Sequence, residues 1–348
     1  MTDHLTNDRK LEHISVILND DQTDRAKHYF DRIHLVHRAL PEVNLEEIDP
    51  SIEFMGKKLS FPLLISSMTG GSQETVMTIN RNLATAAQAC GVAMGVGSQR
   101  VMFTHPEARP SFDLRPFAPN ALLFANLGAV QLNYGFTIDH CSRAVKAVGA
   151  DALYLHLNPL QEAVQPEGNV DFSGLAAKIG AVARDLEVPV IVKEVGAGIS
   201  PADANLLAAQ GIRYIDVAGS GGTSWSRIEH FRRQEEADDL GLLFQDWGNP
   251  TPLALYALRP LTDRVTLVAS GGIRSGIDMV KAVILGASLC GLAKPFLKPA
   301  MESAEAVIRV IERLKKEFVV AMFLLGVSNT AQLQKNDSLL WNTDFARL

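Results

Sequence analysis

Eight short apolar runs recur along this chain, separated by stretches with a helical spacing of apolar residues, and no other feature limits its possible folds so strongly. The runs are PLLISSMTGG (62–71), VAMGVGSQR (92–100), ALLFANLG (121–128), ALYLHLN (152–158), PVIVKEVG (189–196), YIDVAGSGG (214–222), VTLVASGGI (265–273) and ASLCGLAKP (287–295). Between them lie stretches such as GLAAKIGAVARDLE (174–187) and PADANLLAAQG (201–211), whose apolar positions recur every three to four residues, as on an amphipathic helix. Strands that alternate with helices pair in parallel, and near-continuous apolar strands suit a sheet buried on both faces. Eight such units in roughly 250 residues is the count of an α/β (β/α)8 TIM barrel. A doubly wound open sheet is the alternative, but the GxGxxG fingerprint expected after its first strand is missing. The expected organisation is an N-terminal arm and pre-barrel segment over residues 1–60, then a single barrel domain with C-terminal helices over 61–348.

The ends of the runs carry the functional signal. LYLHLNPLQEA (153–163) begins like a buried strand, then places His156, Asn158, Gln161 and Glu162 within seven positions. The other runs end in Thr69, in Ser98 with Gln99, in Asn126, in Lys193, in Gly221 with Thr223, in Gly271 with Gly272, and in Lys294. In a barrel these C-terminal ends converge on one mouth, where active sites are built. Turn chemistry alone would enrich Asp, Asn and Pro there; amide, imidazole and ammonium groups point instead to a binding site.

The loops SGGIRSG (270–276) and GLAKP (291–295) are glycine-rich and carry Arg274 and Lys294. Glycine lets backbone N–H groups approach a phosphate, and the helix expected to start near Ser275 offers its positive N-terminus. Lys193 in the mouth suits a Schiff base, a phosphate or the negative charge of a flavin ring, unless its neighbour Glu194 neutralises it. NDRKLEH (7–13) carries two adjacent cations, Arg9 and Lys10. They are either solvated or, if the arm folds over the mouth, a clamp for a diphosphate. The charged segment RRQEEADDL (232–240) reads as a solvated loop.

Composition narrows the partners. With 47% hydrophobic and 21% charged residues among 348 and a net charge of -6, the chain is globular and lacks the basic footprint of a nucleic-acid binder. Cys90, Cys141 and Cys290 are widely spaced with no CxxC pairing, and are expected to be buried and reduced. The polar start MTDHLTNDRKLEH has no apolar signal core, and the longest apolar run, FVVAMFLLGV at 318–327, is shorter than the roughly 20 residues that span a bilayer. A cytoplasmic protein without membrane insertion is expected.

Taken in order, NDRKLEH, SSMTGG, GVGSQR, HLNPLQE, VKEVG, GSGGTSW and ASGGIRSG closely resemble the type 2 isopentenyl diphosphate isomerases, flavin-dependent enzymes of isoprenoid synthesis, from about residue 7 to 335. HLNPLQE with the arginine-lysine arm is specific to that family, whereas the glycine loops are shared with FMN-dependent barrel oxidoreductases generally. The resemblance implies that Arg9, Lys10, Ser98, Arg100, His156, Asn158 and Gln161 meet the substrate, with His156 and Gln161 the catalytic pair and Glu162 on Mg2+. It places FMN against Ser67, Met68, Thr69, Ser98, Asn126, Lys193 and Thr223, with Gly271, Gly272, Arg274, Ala293 and Lys294 at the phosphate end. It further implies interconversion of isopentenyl diphosphate and dimethylallyl diphosphate, NADPH as the reductant of the flavin, and a homo-oligomer, a tetramer or larger. Shifting a double bond needs protonation at one carbon and proton loss at another, and a reduced flavin beside a weakly basic alkene suits that task. Three rivals stand beside this reading. An FMN oxidoreductase of a small hydroxy acid or phosphorylated substrate would need a histidine near GSGGTSW, which has none; a nucleotide dehydrogenase would need a cysteine within 218–250, which has none; a flavin-binding scaffold would not need polar groups converging on the mouth.

Overall fold

The computed structural model describes residues 4–68, 70–232 and 238–341, the first eight of them by backbone alone. All eight expected runs are strands: β1 (Leu63–Ile65), β2 (Ala93–Gly95), β3 (Leu123–Gly128), β4 (Ala152–His156), β5 (Val190–Lys193), β6 (Tyr214–Asp216), β7 (Thr266–Ser270) and β8 (Ala287–Leu292). They pair in parallel in sequence order, and β8 returns to β1 to close the barrel. The open doubly wound sheet is thereby excluded. The expected helices form at Leu175–Asp185 and Pro201–Ala209.

The two-residue period of a strand sorts the side chains into two cores. Leu64, Ala93, Phe124, Ala152, Tyr154, Ile191, Val268 and Leu289 point inward and fill the barrel interior. Alternate residues such as Leu123, Ala125, Leu153 and Leu155 point outward into the larger core beneath the helices. The interior cluster also contains Phe54 and Leu59 from a two-stranded hairpin, Ile52–Phe54 with Lys57–Leu59, which therefore plugs the N-terminal end of the barrel. With one end stoppered by apolar side chains, only the other end is left for chemistry.

After β8 the chain forms helices Lys294–Glu302 and Ala304–Leu325, and the second packs against helices Glu74–Cys90 and Gly276–Ile284 where the first and last βα units meet. The apolar run 318–327 belongs to this packing, and no described helix is long and apolar enough to cross a membrane. Cys141 and Cys290 are buried and Cys90 half-buried, all three as free thiols.

The N-terminal arm crosses the mouth. Its helix, His4–Asn19, packs against helix Trp225–Arg232. Just beyond, Asp24 bridges Thr223, the Arg25 N–H donates to Gly222 O at 3.1 Å, and the Ser224 N–H donates to Thr23 O at 2.7 Å. Arg25 is only 5% exposed, so its guanidinium has to replace water. It donates to the carbonyls of Gln245 at 2.6 Å, Gly196 at 2.8 Å, Thr223 at 3.4 Å and Trp247 at 3.4 Å, which ties the arm to the loops after β5 and β6.

Candidate active site

At the open end lies a cavity of about 510 Å³, within the range of small-molecule sites. It is lined by sixteen of the residues singled out in the sequence: Ser67, Met68, Ser98, Arg100, Asn126, His156, Asn158, Gln161, Glu162, Lys193, Thr223, Gly271, Gly272, Arg274, Ala293 and Lys294. Thr69 and the side chains of Arg9 and Lys10 lie outside the described residues.

The run that ends in so many polar groups is now explained by its register. On β4 the inward positions are Ala152, Tyr154 and His156, so the strand climbs from the apolar interior to the mouth in two-residue steps, and the short helix Pro159–Val164 then turns Gln161 and Glu162 over it. His156 Nδ1 lies 2.7 Å from Asn126 Oδ1, while Asn126 Nδ2 donates to Val96 O at 3.0 Å. That amide orientation makes Oδ1 the acceptor, so His156 carries a proton on Nδ1.

Asn158 orients its neighbours: Nδ2 donates to Gln161 Oε1 at 3.1 Å and to Glu162 Oε1 at 2.9 Å. Gln165 Nε2 donates to Glu162 Oε2 at 2.6 Å. Asn158 Oδ1 and Gln165 Oε1 are buried and have no hydrogen-bond partner, so oxygen atoms are left over beside the Glu162 carboxylate. Unpartnered buried oxygens are costly unless a ligand supplies a donor or a cation.

Glu229 completes this side and was not singled out in the sequence. Fully buried, it accepts from Gln161 Nε2 at 2.7 Å, bonds His13 Nε2 at 3.1 Å and pairs with Arg232. Burial alone would raise its carboxyl, but the His13 hydrogen bond and charge, the Arg232 charge and the Gln161 amide outweigh it and hold the group down at about 2. An ionised carboxylate only accepts, so it fixes which end of the Gln161 amide faces it. A signal for Glu229 was present, since Trp225, Glu229 and Arg232 recur at four and three residues on one helix face. His13 stands edge-on to Trp225 with ring centroids 5.1 Å apart.

The opposite side is made of backbone. Gly271 and Gly272 follow β7 at φ +92° and +76°, and a Cβ on Gly272 would lie 2.9 Å from the carbonyl carbon of Gly221, so only glycine fits this left-handed, closely packed turn. The helix Lys294–Glu302 opens on the cavity with no side-chain cap at Ala293. Ser66 Oγ and Ser67 Oγ, at the end of β1, are buried without partners. Unpartnered hydroxyls, glycine turns and an uncapped helix N-terminus fit a phosphorylated, polar-edged group such as FMN.

Lys193 lies beneath, with Nζ donating to Glu194 O at 2.6 Å and standing 5.7 Å from the centre of the Tyr154 ring. The Glu194 carboxylate does not take that ammonium; Oε2 accepts the backbone N–H groups of Val195 and Gly196 at 2.7 Å each, of Ala197, and of Gly198 at 3.1 Å. Its carboxyl is nonetheless raised, because burial outweighs those donors. Asp216, the cross-strand neighbour of Lys193, accepts from Tyr154 Oη at 3.1 Å and Ser270 Oγ at 2.6 Å, and burial raises its carboxyl too.

Three expectations need correction. The helix after β7 does not offer its N-terminus to a phosphate: Ser275 and Asp278 form a capping box, and Asp278 Oδ2 takes the N–H groups of Arg274 at 3.0 Å and Ser275 at 3.2 Å. Arg274 does line the cavity, and its guanidinium also meets the arm, through the carbonyl of Arg25 and Asp24 at 3.3 Å, and Gly221 O at 3.3 Å. Gln99 turns away from the mouth to hold the Asn126 N–H at 3.0 Å and Ala144 O at 2.9 Å. Arg232 is not part of a solvated loop: besides Glu229 it pairs with Glu12 at 3.1 Å and Glu167 at 2.9 Å, while residues 233–237 lie outside the described residues.

The family model for FMN-dependent dehydrogenase matches residues 4–104 and 166–341, which include the glycine cradle; Asn126, His156, Asn158, Gln161 and Glu162 lie between the two matched segments. The recombinant flavin-binding domain of baker's yeast flavocytochrome b2 superposes with a TM-score of 0.71 at 20% identity, covering 95% of this chain and 81% of that one. A mandelate oxidase with (S)-2-phenylpropionate gives 0.59 at 19% identity, covering 89% and 86%. These likenesses show a shared fold, and with the family match they define the class: an FMN-type TIM barrel. The isopentenyl-diphosphate delta-isomerase of Paracoccus zeaxanthinifaciens is 57% identical over 342 residues, 97% of this chain and 98% of that protein. Those of Hydrogenovibrio crunogenus and Pyrococcus abyssi are 52% and 41% identical, covering 98% and 94% of this chain and 99% and 90% of their own lengths. The chain belongs to the isopentenyl-diphosphate delta-isomerases of the FMN-dependent, type 2 family.

Proposed function

We propose that this cavity interconverts isopentenyl diphosphate and dimethylallyl diphosphate, with FMN on the glycine side and the substrate beneath the arm. One observation carries the reading: a backbone cradle suited to a flavin phosphate and a fixed His156–Asn158–Gln161–Glu162 network face each other across one cavity. Bound and reduced, FMN supplies an acid–base group beside an alkene too weakly basic for ordinary side chains. Ser66, Ser67, Thr223, Gly271, Gly272, Ala293 and Lys294 would hold it, and Lys193 would supply positive charge to it.

The remaining work falls to side chains. With Nδ1–H given to Asn126, His156 donates from Nε2 to a diphosphate oxygen only as an imidazolium. Arg100 adds a fixed charge, and Arg9 and Lys10 on the arm helix would close on the same group. Gln161, held at both ends of its amide by Asn158 and Glu229, presents a neutral group of fixed orientation to the substrate. Glu162 would hold Mg2+ together with Asn158 Oδ1 and Gln165 Oε1, an all-oxygen set suited to a hard cation. No described cluster of three or more His, Cys, Asp or Glu could hold a metal alone, so diphosphate oxygens and water would complete the shell.

Substrate and product have the same oxidation state, so NADPH would prime the flavin and not be consumed with turnover. The test is anaerobic incubation in heavy water with FMN, Mg2+ and limiting NADPH. Deuterium-bearing dimethylallyl diphosphate in large excess over NADPH oxidised is expected; one NADPH oxidised per product would replace this reading with an oxidoreductase.

A further inference from the structure

We infer that Asn169 is a positioning residue that holds Arg100 and Glu162 apart and in place, so that one serves the diphosphate and the other the metal; this rests on the reading above. Asn169 does not line the cavity, yet it joins three residues that do. Its backbone N–H donates to Glu162 Oε2 at 2.5 Å. Its Oδ1 accepts from Arg100 Nη1 at 3.1 Å and from Gln131 Nε2 at 3.0 Å. Loops after β2, β3 and β4 therefore meet on one amide.

The physical need is clear from the charges. A guanidinium and a carboxylate facing one cavity gain by pairing with each other, and a direct pair would occupy both the phosphate binder and the metal ligand. A neutral residue that accepts from the cation through its side chain and donates to the anion through its backbone removes that outcome without adding charge. The preceding residue permits the approach: a Cβ on Gly168 would lie 1.8 Å from Glu162 O. The loop is also anchored independently, by Asn133 Nδ2 donating to Asp171 O at 2.8 Å and Ser173 O at 3.0 Å, and by the Asp171 N–H donating to Tyr134 Oη at 3.1 Å. Loss of the Asn169 side chain leaves those bonds intact.

The experiment is a double-variant cycle read by calorimetric binding of isopentenyl diphosphate to FMN-loaded enzyme in Mg2+, beside KM and kcat. Asn169→Ala is expected to weaken binding about tenfold with kcat nearly unchanged, because a charge-assisted contact is lost while the backbone N–H to Glu162 stays. Since Asn169 acts through Arg100, the Asn169→Ala change should cost almost nothing in an Arg100→Ala background. Asn169→Ser, which restores part of the acceptor, should fall between wild type and Ala and serves if the Ala variant is unstable. Gly168→Ala should in addition raise the Mg2+ concentration needed for half activity, because it pushes the N–H off Glu162. Additive costs in the cycle, or unchanged binding in Asn169→Ala, would overturn the inference alone. A wild-type chain that does not bind isopentenyl diphosphate would overturn the proposed function beneath it.

Discussion

The two sides of the cavity are made from different parts of the amino acid. Around β7 and β8 the working groups are backbone: Gly271 and Gly272 at positive φ, and the uncapped start of helix Lys294–Glu302. Around β3 and β4 they are side chains locked to one another: Asn126 to His156, Asn158 to Gln161 and Glu162, Gln161 to Glu229. A backbone cradle asks only that no Cβ intrude, and its glycines lie within a segment that matches the FMN-dependent dehydrogenase model. A side-chain network asks for particular donors and acceptors at fixed spacing, and all its members except Glu229 fall between the segments that match the FMN-dependent dehydrogenase model.

If the sides are separable in this way, damage to each should have its own signature. The largest effect is expected from Gly272→Leu, whose Cβ would meet Gly221 and whose φ of +76° disfavours a side chain. Purified protein should be colourless; stoichiometric flavin by absorbance would move the cradle elsewhere. Glu162→Gln should do the reverse, lowering Mg2+-stimulated turnover by about a hundredfold while leaving flavin content at wild type. An unchanged Mg2+ titration would assign the ion to other groups.

Glu229→Gln tests whether the network has its own acid response. Held at about 2 against an ordinary 4.5, the Glu229 carboxyl is depressed, so its stabilisation is fully present above about pH 4.5 and is lost as pH falls through about 2. Replacing it should flatten the fall of Tm across that window; a variant curve parallel to wild type would show that the charge is not coupled to folding. The smallest effect is expected from Arg274→Lys. Because its guanidinium serves the arm and Gly221 O, FMN affinity should fall by less than about tenfold, measured by flavin titration of apoprotein. A loss equal to that of Gly272→Leu would return Arg274 to the phosphate and blur the distinction.

Much of this was legible in the chain because the informative residues are close in sequence. His156, Asn158, Gln161 and Glu162 occupy one strand end and one helical turn, so local periodicity alone brings them together. The apolar strands could be counted because each is buried on both faces. Illegible were the partners brought in from a distance. Glu229 reaches Gln161 across 68 residues and His13 across 216, and Asn169 meets Arg100 across 69. Nor could the sequence show that Arg274 also meets the arm, through the carbonyl of Arg25, 249 residues away.

The sequence by itself determined the number and order of the strands, the end at which their polar groups gather, and the glycines that leave backbone exposed. These follow from period, burial and the absence of a side chain, all properties of a residue and its near neighbours. Tertiary structure alone decided which charges are satisfied and which are left to act: Glu194 is spent on four backbone N–H groups, Ser275 and Asp278 on their own helix, and Glu229 on holding Gln161. A polar group becomes available only after its neighbours have taken their hydrogen bonds, and in a closed barrel those neighbours come from loops that the chain order keeps far apart.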